Sequence, residues 1–220
     1  MKLNKIEKKI LKLSEGWVGE KHVPSIIRGL NLAFTKSIVG FSSNRFESQY
    51  LKDHSVIVSG QYCPRILGMI PENILITLSF PNDSKKVQIT EKGAKNLAVK
   101  IVRAIHHEYR HKHQQKGRGY AYVKQYRPKK GQSKTYAAYY GMPDEIDAHA
   151  HETQAEKLDI NRLRKAHKVG WAECESIFMY RKHFRKTDPK VWKKFLKKVY
   201  KNNAQVQTIP SRSGTQKPHR

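Results

Sequence analysis

Two histidines stand four residues apart, with a glutamate directly after the first: His107, Glu108 and His111, in the string HHEYRH. On a helix, residues i and i+4 project from one face, one turn apart, so both imidazoles can meet a single metal ion. A carboxylate placed just after the first ligand reaches water on that ion and serves as its general base. The pattern is HExxH, and it predicts a divalent-metal site, with one Zn2+ per chain as the simplest occupant. The chain holds 11 histidines, so a solvated basic face is the competing account. Context favours the metal, because the string lies inside a strong helical pattern that directly follows β-rich sequence.

Two imidazoles do not complete a catalytic zinc site, which uses three protein ligands and a water. The third is expected on a second helix, in DEIDAHAHE, where Asp144, Glu145, Asp147, His149, His151 and Glu152 are all candidates. Asp147 and His151 lie one turn apart, as do Glu145 and His149, and only one of those faces can look at the metal. Tyr136, Tyr139, Tyr140 and His149 are candidate donors to a tetrahedral oxyanion.

These residues need elements to hold them. The motif helix is expected from about Glu91 to Gln114, capped by Thr90, with Leu97, Ile101 and Ile105 as its buried line. The second ligand helix restarts at Pro143, with Asp144, Glu145 and Asp147 near its positive end. Ahead of both, SVIVS (55–59), NILITLSF (73–80) and KVQIT (86–90) read as strands, the last two as a hairpin. Asn73 to Phe80 is the strand whose edge is expected to hold an extended peptide. Leu3, Ile6, Ile10 and Leu13 share one face of a first helix, and a second runs from Val23 to Phe34. A helical group from Trp171 to Arg185 precedes a basic helix that ends near Lys201, with Val191, Phe195 and Val199 inward. From Asn202 the sequence reads as a disordered tail. The expected fold is α+β: a small sheet, two metal-ligand helices, then a helical C-terminal part. The expected division is 1–54, an N-terminal helical segment; 55–168, the metal-binding domain; 169–202, a C-terminal extension; and 203–220, a basic tail.

Lys and Arg total 44 against 18 Asp and Glu, a formal charge of +26. That excess predicts a polyanionic partner. Lys116, Arg118, Lys124, Arg127, Lys129, Lys130 and Lys134 are interleaved with Tyr120, Tyr122 and Tyr126, which suits non-specific DNA or RNA held by phosphates and by stacked bases. Two cysteines, Cys63 and Cys174, make neither a disulfide framework nor a thiolate metal site, and they fit a reducing compartment. No window of eighteen apolar residues exists, so no stable membrane insertion is expected.

The segment HHEYRH followed by YYGMPDEIDAHAHE resembles the small zincin-like metallopeptidases encoded by tailed bacteriophages, over roughly Asn73 to Glu152. The last helix, VWKKFLKKVYK, is also similar to that family's C-terminal helix. The wider likeness is to gluzincins, whose third ligand is the acid directly before an alanine on the second helix. This implies Asp147, before Ala148. Aspartate is one methylene shorter than the usual glutamate, and His151 stands where an acid is typical, so Glu145 is the rival, followed by His149 and His151. The resemblance implies a zinc-dependent metallopeptidase acting on protein or peptide substrates, with Glu108 as base and Tyr139 and Tyr140 beside the reaction. It implies a host-cell cytoplasmic location, or a place in the virion among phage structural proteins. The alternative is a non-catalytic zincin-like protein that binds nucleic acid or builds the particle. An intact Glu108 favours the enzyme.

Overall fold

The computed structural model describes residues 3–46, 56–64, 72–81, 86–118, 127–130, 132, 134–156 and 174–207. In chain order the elements are α1 (Leu3–Glu15), β1 (Gly19–His22), α2 (Val23–Phe34), β2 (Val39–Phe46), β3 (Ile57–Cys63), β4 (Asn73–Pro81) and β5 (Lys86–Ile89). They continue with α3 (Glu91–Gly117), α4 (Lys134–Tyr140), α5 (Pro143–Glu152), a 3-10 turn (Thr153–Glu156), α6 (Glu175–Phe184) and α7 (Pro189–Gln207). The fold is α+β: a small sheet precedes two helices that bear candidate metal ligands, and the C-terminal part is helical. No helix among the described residues is long and apolar enough to cross a membrane.

β4 is the spine of the main sheet. Its alternate residues Ile74, Ile76, Leu78 and Phe80 point to one face and are fully buried, as period-2 geometry requires. Both of its edges are taken. β2 runs parallel to it, from Val39↔Ile74 to Phe46↔Pro81, and β3 runs antiparallel, from Ile57↔Ser79 to Cys63↔Asn73.

Two expectations change as a result. β4 and β5 do not form a hairpin, because β4 has no edge left; β5 instead pairs antiparallel with β1, from Gly19↔Ile89 to His22↔Lys86. For the same reason Asn73 to Phe80 is not an edge strand, and the outer strand lying against α3 is β3. Ile57 to Ser59 of the SVIVS run open β3, which continues to Cys63, and Ser55 lies outside the described residues. β1 and β2 were not foreseen: GEKH is short and polar, and VGFSSNRF carries Gly, Ser and Asn in place of strand formers.

The helices follow their patterns more closely. Ile6 and Ile10 of α1 are wholly buried, so this face packs on the protein. Thr90 caps α3, its hydroxyl accepting from the Gly93 N–H at 3.0 Å. α6 covers most of the expected helical group; Trp171 to Glu173 lie outside the described residues. α7 continues through Asn202 to Gln207, so the first residues of the expected tail are helical, and 208–220 lie outside the described residues.

Two hydrophobic clusters form. The first joins α1, α2, the sheet and the Leu97–Ile101–Ile105 face of α3. The second joins α4, α5, α6 and α7 through Ile146, Ala150, Tyr180, Phe184, Phe195 and Val199. α3 belongs to one and α5 to the other, and the two helices pack on each other along the seam. Ile101 is fully buried under α3. Ile101→Ala should cost about 2–5 kcal/mol of stability, read as a lowered urea midpoint at unchanged slope.

Candidate metal centre

α3 is enclosed on three sides at its middle. Successive residues of an α-helix point about 100° apart, so His106, His107 and Glu108 fan onto three different neighbours. All three are buried, at 4%, 6% and 6% exposure. His106 Nε2 lies 2.6 Å from Glu7 of α1. His107 faces α5. Glu108 faces β3, where the Tyr62 N–H donates to its carboxylate. The strand passes so close that a methyl group on Gly60 would sit 2.7 Å from Glu108 Cγ.

Three ligand-type side chains converge between α3 and α5. His107 Nε2 and His111 Nε2 are 3.0 Å apart. One Glu145 oxygen lies 3.2 Å from His107 Nε2, and the other lies 3.3 Å from His111 Nε2. A tetrahedral zinc at 2.0–2.1 Å from each ligand holds them about 3.3 Å apart, so these separations suit one small divalent ion.

The opposite ring nitrogens fix the tautomers. His107 Nδ1 is 3.1 Å from a Glu152 oxygen, which only accepts, so Nδ1 carries the proton. His111 Nδ1 is 2.9 Å from Gln114 Oε1. The Gln114 amide nitrogen donates to the Asp144 carbonyl at 2.9 Å and to Asp147 at 3.2 Å, which leaves its oxygen to accept from His111. Both imidazoles therefore aim Nε2 at the shared point and keep Nδ1 for a hydrogen bond, as metal-bound histidines do. This is a zincin-like metal-binding motif, HExxH with a distal Glu.

The electrostatics match. Burial opposes a charged His107, but Glu145 and Glu152 outweigh it and raise its pKa to about 10. Burial pushes the Glu145 carboxyl up, and the two histidines overcome that and hold it far below the ordinary range. Burial raises the Glu108 pKa, against the pull of His107 and His111. Burial also raises the Tyr139 hydroxyl, helped by Glu145, to which it is hydrogen-bonded.

A second group, His107, His149 and Glu152, lies behind the first. His149 packs edge-on against His107 with ring centres 4.4 Å apart, and its Nδ1 is 3.4 Å from Glu152. Burial lowers its pKa against the nearby acids. Glu152 also takes Arg103 Nη2 at 2.9 Å and the Ser176 hydroxyl. A neutral imidazole has one lone pair, so His107 serves one group or the other. The first group leaves Glu145 with fewer competing donors.

Asp147, the acid that the resemblance puts at the third-ligand position, is not brought to the His107–His111 pair. Its two oxygens bind Lys198 of α7 and Arg110 of α3, on a different face of α5 from Glu145, His149 and Glu152. His151 lies on that side too, 5.3 Å from the His106 ring; burial, then the His106 and Arg110 charges, lower its pKa to about 4. Tyr139 and His149 line a cleft of about 500 Å³ together with Gly60, His107 and Glu108. Tyr140 lines it as well and covers the His149 ring at 4.9 Å, while its carbonyl accepts from Tyr180. Tyr136 stacks on His183.

Of the residues expected to meet nucleic acid, Lys116 pairs with Glu72, Arg118 with Asp144 and Lys129 with Asp188. Arg127, Lys130 and Lys134 are exposed, and Tyr120, Tyr122, Lys124 and Tyr126 lie outside the described residues. Sequence reasoning missed the orienting residues Gln114, Arg103 and Gly60. Gln114 was findable as the residue three past His111. Gly60 and Arg103 depend on packing between distant segments and left no local signal.

No protein-family model matches the chain, and no curated protein or solved structure matches it. The zincin likeness therefore rests on the motif and its geometry, and nothing points to a bacteriophage source.

Two outcomes follow from the geometry. Gln114→Ala should weaken divalent-metal affinity about 10- to 100-fold, measured by competition with a chelating dye. Metal binding near neutral pH should release about one proton, since it displaces the His107 proton; calorimetry in buffers of different ionisation heat reads this, and equal heats would contradict it. In the metal-free protein the His107 contribution to stability is complete below pH 6.5 and fades as pH rises through about 10.

Proposed function

We propose that the protein is a zinc-dependent peptidase with His107, His111 and Glu145 as its protein ligands and Glu108 as general base. The observation that carries this reading is the pair of Nε2 atoms 3.0 Å apart, each 3.2–3.3 Å from one oxygen of the Glu145 carboxylate, beside a buried glutamate. Two imidazoles and one carboxylate suit zinc better than magnesium or calcium, which prefer all-oxygen sites. Asp147 then acts as an orienting residue, through Gln114 and Arg110.

Zinc held there supplies Lewis acidity, acidifying water and polarising a carbonyl. Glu108 takes a proton from the attacking water and delivers it to the leaving amine. Its raised pKa makes it a stronger base for the first of these transfers. Tyr139, on the cleft and bonded to Glu145, donates to the developing oxyanion, and Tyr140 holds the aromatic wall behind it. The outer edge of β3, whose residues Ile57 to Gly60 line the cleft, offers backbone groups to an extended peptide.

Metal analysis of untagged protein should give one zinc per chain, and Glu145→Gln should remove it. Glu108→Gln should keep the zinc and slow casein hydrolysis by about 10²- to 10⁴-fold. A Glu108→Gln variant that cleaves as fast as the parent refutes the assignment of the base.

A further inference from the structure

We infer that the outward face of α7, with Arg185 and Lys186 ahead of it and the adjoining segment 127–130, docks double-stranded nucleic acid through its phosphates. The inference is independent of the metal reading. From 174 to 207 the chain has ten Lys and Arg against two acids, Glu175 and Asp188. Neither acid neutralises the face. Asp188 is buried and paired with Lys129 at 2.9 Å, and Glu175, at the start of α6, bonds Arg103 at 3.1 Å.

α7 is sharply two-sided. Val191, Trp192, Phe195, Leu196 and Val199 are buried in the second cluster. Lys190, Lys193, Lys194, Lys197 and Lys201 are exposed on the other side. From Lys190 to Lys201 this row extends about 17 Å at 1.5 Å per residue. Arg185 and Lys186 follow the end of α6 and continue it. Lys129 and Gln132 are pinned beside them, Lys129 on Asp188 and Gln132 on the Thr187 hydroxyl at 3.0 Å. That contact brings exposed Arg127 and Lys130 to the same corner.

The chemistry of the face selects the occupant. A duplex carries about one charge per 1.7 Å of axis, so 17 Å of it presents about ten charges to a row of this length. A helix that lies on a lipid surface turns its apolar side outward, whereas that of α7 is buried in the core. A stable protein partner needs an apolar centre to its interface, and no large hydrophobic side chain of α7 is exposed among the described residues. Nor does this row carry an exposed aromatic ring for unpaired bases to stack on.

Fluorescence anisotropy with a labelled mixed-sequence DNA duplex, over a salt series, tests this. Full-length protein should bind, with affinity falling as salt rises. K193Q/K194Q/K197Q should flatten the log–log salt slope by roughly 2–3 and weaken binding at least about tenfold near 0.15 M salt. K5Q/K8Q/K12Q removes the same charge from exposed positions of α1 and should leave the slope nearly unchanged. Equal effects of the two triple variants would show that net charge alone attracts DNA and would overturn the assigned face. So would no binding by the parent near 0.15 M salt, tighter binding to phosphatidylserine vesicles than to the duplex, or a preference for single-stranded over duplex DNA.

Discussion

His107 is clamped between two buried carboxylates, Glu145 on Nε2 and Glu152 on Nδ1, and the surrounding structure is arranged to make that tolerable. Ionised carboxylates away from water are costly unless matched by positive charge and hydrogen bonds. Glu152 has its match in Arg103 and the Ser176 hydroxyl. Glu145 has the two imidazoles and the Tyr139 hydroxyl, a set that calls for one more positive charge at the shared point. A divalent ion answers that demand better than a single proton, which can satisfy only one of the converging lone pairs.

Support for the clamp comes from both hydrophobic clusters. The first fixes α3 through Leu97, Ile101 and Ile105, so the next turn is aimed by the same helix. The second fixes α5 through Ile146 and Ala150, which leaves Glu145, His149 and Glu152 turned to α3. A polar chain then runs outward from His111 through Gln114 and Asp147 to Lys198. The basic helix α7 is thus tied to the orientation of a ligand ring through three side chains.

The sequence made the helix-borne part of this legible. HExxH, the Thr90 cap and the four-residue recurrence on α3 are local, and local periodicity survives in a single chain. The roll of α5 is not local. Glu145 and Asp147 differ by two positions, and which of them meets His107 depends on how Ile146 and Ala150 seat against residues some thirty to fifty positions later. The sheet was harder still. Which strand holds an edge is set by competition: β4 pairs with both β2 and β3, and only that leaves β5 to β1. β2 gave little sign of itself, since Gly40, Ser42, Ser43 and Asn44 are ordinary loop residues in composition.

The placement of His107 and His111 in one cluster and Glu145 in the other has a mechanical consequence. An ion shared by them is a crosslink between two bodies that otherwise meet through packing and polar side chains. It closes the chain between His111 and Glu145 into a loop, and closures of that size restrict an unfolded chain by about 3–5 kcal/mol in entropy models. Under the proposed function, the atom that serves the chemistry would also act as a rivet. A chelator would then act as a partial denaturant, removing a tie between the two clusters.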